Sequence, residues 1–170
     1  MAGVSKLNES DKNRVGWLFT DCFYNSPYYE GWYENKQDMK NDFEECLTWI
    51  LKNGECLGAY DQGRFVGMAL TFSLEKLNAH IRHELFGDEG PLYGKVMTSA
   101  GRYLFALCVD KASKGLGVGN MLFDEILKSP GPFVGDVIND IGLKMCQKRG
   151  FICEKLPGQL SCPWWWVEKK

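Results

Sequence analysis

The stretch Val109-Asp-Lys-Ala-Ser-Lys-Gly-Leu-Gly-Val-Gly119 lies between an apolar run and an amphipathic segment. Glycine at positions 115, 117 and 119 allows the backbone to turn tightly and to approach a ligand closely. If a helix begins here, the N–H groups of its first turn point into the loop, at the positive end of the helix dipole. The stretch therefore predicts a loop that cradles phosphate groups, with Lys114 as an added positive charge.

The segments on either side of this loop predict a strand and a helix. Residues 103–109 are apolar without interruption, which is typical of a strand covered on both faces. After the loop, Val118, Leu122 and Ile126 recur at the four-residue spacing of a helix face. The whole segment is therefore expected to be a strand–loop–helix unit.

The remaining pattern predicts an α/β fold. The expected elements, in chain order, are a helix from Ser10 to Phe23, a helix from Met39 to Leu51, strands Cys56 to Tyr60 and Phe65 to Phe72, a helical turn and a loop (Gly87 to Gly94) within residues 73–101, a strand from Phe133 to Ile138, a helix from Asn139 to Gly150, and extended chain from Phe151. Gly54 is expected to end the second helix in the left-handed conformation. Such alternation predicts a layered sheet with helices on both faces.

Two familiar nucleotide-binding patterns do not fit the glycine loop. A P-loop would need a lysine and a hydroxyl residue directly after its last glycine, and a dinucleotide fingerprint would need its third glycine one residue later. Lys114-Gly-Leu-Gly-Val-Gly119 instead resembles the Arg/Gln-x-x-Gly-x-Gly/Ala motif of the GCN5-related N-acetyltransferase (GNAT) superfamily.

The resemblance extends over residues 103–152. Leu107 and Val109 match the Leu-x-Val that precedes the motif in many members of the superfamily. A second set matches the superfamily's Asn-x-x-Ala-x-x-x-Tyr-x-x-x-Gly-Phe, and it consists of Asn139, Gly142, Cys146 and Gly150-Phe151. Cys146 departs from the pattern, because it stands where the superfamily often has a tyrosine that protonates the leaving thiolate.

This resemblance implies a fold, a donor and a set of binding residues. It implies one N-acetyltransferase domain over residues 1–170, with a mixed, mostly antiparallel central sheet, helices on both faces and a V-shaped opening between the two central strands. The donor would be acetyl-coenzyme A. Its pantetheine arm would pair with the backbone of Leu107, Cys108 and Val109, with Asn139 beside it. Its pyrophosphate would bind the amides of Lys114, Gly115, Leu116, Gly117, Val118 and Gly119 and the side chain of Asn120.

The implied reaction is direct attack of a primary amine on the thioester, which needs a base and an acid. Cys146 is the candidate acid, although it can equally be a packed core residue. Asp136 is the first candidate base, and Glu84 and His83 are two others. Each of these three can also be an ordinary surface side chain.

The charge and composition of the chain limit the kinds of partner that it is expected to bind. The formal net charge of −2 argues against nucleic-acid binding, and no apolar run is long enough to cross a membrane. Residues 28–62 hold eight acidic and three basic side chains, whereas residues 140–170 hold three acidic and six basic ones. These charges are either solvated faces or an acidic side for a cationic acceptor and a basic side for a polyanionic cofactor.

Cysteine and histidine usage points away from metal binding. The seven cysteines are scattered without the paired spacings of a zinc site, so reduced thiols and a cytoplasmic location are expected. His80 and His83 share no known metalloprotease pattern, and no metal site is predicted.

No sequence motif identifies the acceptor, which is either a small-molecule amine or a peptide amine. Aromatic residues between the first two helices are either core or the wall of an acceptor pocket: Phe23, Tyr24, Tyr28, Tyr29, Trp32 and Tyr33. Of Trp164-Trp165-Trp166, the middle residue is expected to face away from its neighbours, and its exposure would indicate an acceptor or homodimer surface. The alternative function is a non-catalytic acyl-coenzyme A binding module that serves as a sensor or a partner protein.

Overall fold

The computed structural model describes residues 2–158 and 162–170. Its strands and helices, in chain order, are β1 (Gly3–Lys6), α1 (Lys12–Phe23), α2 (Lys36–Asp42), α3 (Glu44–Asn53), β2 (Glu55–Asp61), β3 (Arg64–Ser73), α4 (Ala79–Phe86), α5 (Pro91–Thr98), β4 (Arg102–Val109), α6 (Val118–Ile126), β5 (Phe133–Val137), α7 (Asp140–Lys148), β6 (Ile152–Lys155) and β7 (Trp165–Lys169). The strand order is β1-β2-β3-β4-β5-β7-β6. Four of the strand pairs are antiparallel, namely β1–β2, β2–β3, β5–β7 and β6–β7, while β4–β5 is parallel, so the expected mixed, mostly antiparallel sheet is confirmed.

The chain divides into two compact units. The first unit covers Met1–Thr71 and Ala106–Pro130, and the second covers Phe72–Phe105 and Gly131–Lys170. In the first unit, α1, α2 and α3 pack together, and α3 and α6 contact β2. Gly67 of β3 allows α6 to come close, because a Cβ there would lie 2.9 Å from Val118 Cγ1 and 3.0 Å from the Cys108 carbonyl oxygen.

The second unit is organised around buried aromatic rings. Tyr103 of β4 stacks on Phe72 with ring centroids 5.5 Å apart, and it meets Phe86 edge-on at 5.0 Å. Trp166 of β7 is 1% exposed and lies 6.3 Å from the same tyrosine ring. This cluster fixes the first half of β4 and the last strand within one core.

The parallel pairing of β4 with β5 is short. It runs from Arg102 opposite Phe133 to Leu104 opposite Gly135 and ends there, although β4 continues to Val109 and β5 to Val137.

Three local predictions were wrong for identifiable physical reasons. The second predicted helix is two helices, α2 and α3, and Phe43 is the cap residue of both. The ring of Phe43 packs against that of Phe19, with centroids 4.8 Å apart. A helix begins at Pro91 inside the predicted loop Gly87 to Gly94, since proline is well suited to the first helical position. Gly54 is not left-handed, having φ −95°; glycine is needed there because a Cβ would lie 2.1 Å from the Thr71 carbonyl oxygen.

No helix within residues 2–158 and 162–170 combines the length and apolar character that crossing a bilayer demands. All seven cysteines belong to the described part of the chain, and none of them forms a disulfide.

Candidate functional site

The glycine loop adopts a conformation that other residues rarely reach. Gly115 has φ 82° and Gly117 has φ 83°, both in the left-handed region. A Cβ at either position would meet no heavy atom within 4 Å, so the space beside the backbone is open. These glycines therefore allow the loop conformation and leave its backbone accessible to a ligand. They are not required by internal packing.

The start of α6 presents unbonded donors to this loop. Met121 N–H donates to the Gly117 carbonyl at 3.0 Å, which begins the helical ladder. Within the described residues, the N–H groups of Gly117, Val118 and Gly119 donate no hydrogen bond to a backbone carbonyl outside the helix. Such donors at a helix N-terminus favour an anion, and the exposed side chain of Lys114 adds positive charge.

A polar network that sequence reasoning missed holds the loop in place. Asp110, the first residue after β4, accepts a hydrogen bond from Ser113 N–H at 2.6 Å. Arg64 of β3 places Nη1 3.1 Å from Asp110 Oδ2 and donates from Nη2 to Ser113 Oγ at 3.3 Å. Because Arg64 lies 46 positions before Asp110, no local pattern signals this pairing.

The predicted pantetheine-binding segment of β4 is in contact with a thiol of α1. Cys108 is buried, and Leu107 and Val109 are half-buried. The half-buried Cys22 donates its S–H to the Val109 carbonyl at 3.6 Å. No local sequence pattern signals this contact, because Cys22 and Val109 are 87 positions apart.

The pKa values of Cys22 and Cys108 are shifted in opposite directions. A hydrogen bond from Cys108 lowers the pKa of Cys22, and the charge of Lys114 lowers it further against the effect of burial. Burial raises the pKa of Cys108 well above its ordinary value. Cys22 is therefore the thiol of this pair that loses its proton more readily.

In the second unit, Asn139 is the N-cap of α7. Its side chain accepts the Gly142 N–H at 2.8 Å. Gly142 has a packing role, because a Cβ there would lie 2.8 Å from Val137 Cγ1. The cap explains why asparagine stands at this position, while its predicted contact with a pantetheine arm stays a prediction.

Cys146, the candidate acid, is a core residue of α7. It is 4% exposed, and burial raises the pKa of its thiol to about 12. Such a thiol holds its proton firmly at neutral pH. Its burial favours packing over proton donation, and its catalytic role stays a prediction.

Asp136, the candidate base, is already engaged by two donors. Tyr103 O–H donates to one carboxylate oxygen, and Trp164 Nε1 donates to the other at 2.9 Å. Burial raises the pKa of Asp136, although both hydrogen bonds act in the opposite direction. The carboxylate links β5 to its neighbours, and its role as a base is a prediction.

The other sequence candidates lie on exposed surfaces. His83 and Glu84 are exposed on α4, and His83 Nδ1 lies 2.9 Å from Asp88, whose hydrogen bond raises the pKa of the imidazole. Trp165 is half-buried and Trp166 is buried, so the exposed middle tryptophan that would have indicated an interaction surface is not found.

The geometry of the loop fits the pyrophosphate of coenzyme A. Open space lies beside Gly115 and Gly117, and unbonded N–H groups occupy the first turn of α6. Both features suit a phosphate held by backbone donors. The first unit thus contains every predicted cofactor residue from Leu107 to Asn120, whereas Asn139, Asp136 and Cys146 belong to the second unit.

By sequence, the chain matches no protein-family model and no curated protein. By structure, it is similar to "histone acetyltransferase HPA2 and related acetyltransferase" from Corynebacterium glutamicum, with TM-score 0.74, 16% identity and 99% and 95% of the two chains covered. It is also similar to the C-terminal condensation domain of Ebony in complex with beta-alanyl-dopamine, with TM-score 0.78, 11% identity and 99% and 98% covered. A third similar structure is the PaiA N-acetyltransferase from Thermoplasma acidophilum in complex with coenzyme A, with TM-score 0.65, 18% identity and 100% and 99% covered.

TM-scores of 0.65 to 0.78 over nearly the whole chain show a shared fold, and identities of 11% to 18% show no more than that. The chain has the GNAT fold, as the resemblance over residues 103–152 implied.

Proposed function

We propose that the protein is an acetyl-coenzyme A dependent N-acetyltransferase that acts on a primary amine. The observation that carries the proposal is the cradle of Gly115 to Gly119, with its left-handed glycines, open space and unbonded helix N-terminus. Its support from known proteins is the shared fold, since one similar structure is an N-acetyltransferase that contains coenzyme A.

The chain's own residues would bind and orient the donor. The amides from Lys114 to Gly119 would hold the pyrophosphate, with the Asn120 side chain beside it, and the backbone of Leu107 to Val109 would pair with the pantetheine amides. When bound, acetyl-coenzyme A supplies a thioester whose carbon–sulfur bond breaks as the carbon–nitrogen bond forms. The network of Arg64, Asp110 and Ser113 holds the loop before the donor arrives, which reduces the ordering cost of binding.

One proton must leave the amine and one must reach the thiolate. Asp136 is the proposed base, and its raised pKa brings it closer to the neutral range in which a base is most effective. Cys146 is a candidate acid on the motif match alone, and its burial with a pKa of about 12 argues against that role. A cytoplasmic location is proposed because all seven cysteines lack disulfides.

The non-catalytic acyl-coenzyme A binding module is the second candidate. One observation favours it: Cys146 is buried with a pKa of about 12, and both oxygens of Asp136 already accept hydrogen bonds. Under this alternative the cradle binds the cofactor and no acetyl group is transferred.

Calorimetric titration with acetyl-coenzyme A and coenzyme A tests the shared part of both candidates. Micromolar binding is expected, and no binding at millimolar concentration would refute both. Release of free thiol from acetyl-coenzyme A, measured with and without a panel of primary amines, then separates them. Amine-dependent release supports the enzyme, whereas tight binding without any release supports the binding module.

A further inference from the structure

A cavity of about 390 Å³ opens in the turns that follow α1. The residues that line it include Tyr24, Tyr29, Tyr33 and Glu30. Binding sites for small molecules have volumes of roughly 300 to 1,000 Å³, so this cavity is at the small end of that range. We call these four residues the tyrosine cage.

The rings of the cage are held in place by other residues. Tyr24 O–H donates to the Glu34 carbonyl at 3.1 Å, and Tyr33 O–H donates to Asp42 Oδ2 at 2.6 Å. Tyr29 meets Phe43 edge-on, with centroids 5.7 Å apart and an interplanar angle of 85°. Rings fixed before a ligand arrives lose little freedom on binding.

The charge around the cage is negative. Glu30 is exposed and makes no hydrogen bond or ion pair with any residue of the described chain. Asp42 lies at the hydroxyl of Tyr33, where burial and this carboxylate together raise the pKa of the phenol, so the tyrosine stays neutral. The faces of neutral aromatic rings attract cations, and the neighbouring carboxylates repel anions.

We propose that the tyrosine cage binds the ammonium group of an organic cation. Three tyrosines, of which Tyr29 and Tyr33 have rings inclined at 47°, and one carboxylate without a partner in the described chain provide both of the interactions by which proteins recognise alkylammonium groups. A neutral ligand of the same shape would leave Glu30 without a counter-charge. The cage therefore selects its ligand by charge.

The cage and the predicted cofactor segment belong to the same unit, and on the basis of the proposed function we assign the cage to the amine acceptor. Cys22, two residues before Tyr24, contacts the carbonyl of Val109 in the predicted pantetheine segment. An amine held between rings and a carboxylate stays protonated and cannot attack a thioester, since its lone pair carries the proton. The acceptor is therefore a molecule with two amino groups, of which one is anchored in the cage and the other reacts.

Binding can be measured without acetyl-coenzyme A. Tryptophan fluorescence is followed during titration with n-butylammonium chloride at constant ionic strength, with n-butanol as the neutral isostere. The signal of Trp32, whose ring lies 5.7 Å from that of Tyr29, is taken as the difference from a Trp32→Phe variant. Saturable binding of the cation alone is expected. If neither compound binds, or if both bind equally, the cage does not recognise an ammonium group.

Two matched variants separate the cage from general attraction by acidic residues. Glu30→Gln should weaken n-butylammonium binding by roughly 3- to 10-fold, whereas Glu34→Gln, at an exposed neighbour that does not line the cavity, should not change it. Equal weakening by both variants would overturn the proposal. Coenzyme A binding, measured on the same samples, should be unchanged in both variants, so the cage can fail while the proposed cofactor site stands.

The two-amine acceptor has its own readout. With acetyl-coenzyme A, 1,4-diaminobutane should have a lower KM than n-butylamine, and Glu30→Gln should raise that KM with little change in kcat. Equal KM values for the two amines would refute an anchoring ammonium. If no amine is acetylated while n-butylammonium still binds, the cage stands and the proposed enzyme is wrong.

Discussion

The glycine loop at residues 114–119 and the start of α7 at residues 139–146 both match a GNAT motif, yet the structure uses them differently. In the loop, the matched residues leave space open and N–H groups unbonded. In α7, the matched side chains already have structural partners, since Asn139 caps the helix and Cys146 lies in the core. A function carried by backbone conformation can be inferred from glycines alone, whereas a function carried by a side chain also requires that the side chain be available.

The largest expected effect comes from a side chain placed in the loop. Gly117→Val should abolish detectable coenzyme A binding, because a β-branched residue at φ 83° forces the loop to rearrange. Gly63→Val is the matched control, since Gly63 has φ 79°, equally open surroundings and a position in the β2–β3 hairpin. Both variants should lose roughly 1–2 kcal/mol of stability, measured by denaturant unfolding, and only the first should lose binding in calorimetry. Similar affinity in both variants would show that the loop is a turn and not a cradle.

The same contrast applies to the thiols near the two motifs. Iodoacetamide should label Cys22 at least roughly 100-fold faster than Cys146 near neutral pH, because thiolates react and the pKa of Cys146 is raised to about 12 while that of Cys22 is lowered. Mass spectrometry of time points gives both rates.

Coenzyme A should slow the labelling of Cys22, which contacts Val109, and leave the labelling of Cys153 unchanged. If saturating coenzyme A does not slow the labelling of Cys22, then Val109 does not belong to the predicted pantetheine segment.

Much of the fold followed from patterns that are local in sequence. The β2–β3 hairpin, the strand before the loop and the cap at Asn139 each depend on residues that are close along the chain. The strand β1 was not predicted, because its four residues are mostly exposed and lack an apolar alternation.

The parts of the site that were missed are contacts between distant residues. Cys22 meets Val109 across 87 positions, and Arg64 meets Ser113 across 49. The interruption of a helix at Phe43 likewise comes from packing, since its ring lies against that of Phe19 at 4.8 Å. Periodicity identifies which face of an element is apolar, and it does not identify what packs against that face.

The dual role of Asn139 can be resolved by two substitutions. Asn139→Ala should cost about 1 kcal/mol of stability through loss of the cap, whereas Asn139→Asp should keep the cap and the stability. Coenzyme A affinity, measured by calorimetry, decides the rest. If the asparagine amide binds the cofactor, both variants should weaken binding; if only the alanine variant does so, the residue acts through the helix alone.

The smallest expected effect is that of Cys146→Ala on turnover. The thiol is buried and its pKa is raised to about 12, so at neutral pH it stays protonated and is a weaker acid than an ordinary thiol. Amine-dependent turnover should therefore change by less than about twofold, with a stability loss of about 1 kcal/mol from the cavity. Cys46→Ala is the matched control, because Cys46 is also 4% exposed and has no predicted role. A tenfold loss of kcat in Cys146→Ala that is absent from Cys46→Ala would restore the thiol as the acid, and the two motifs would then differ less than their geometry indicates.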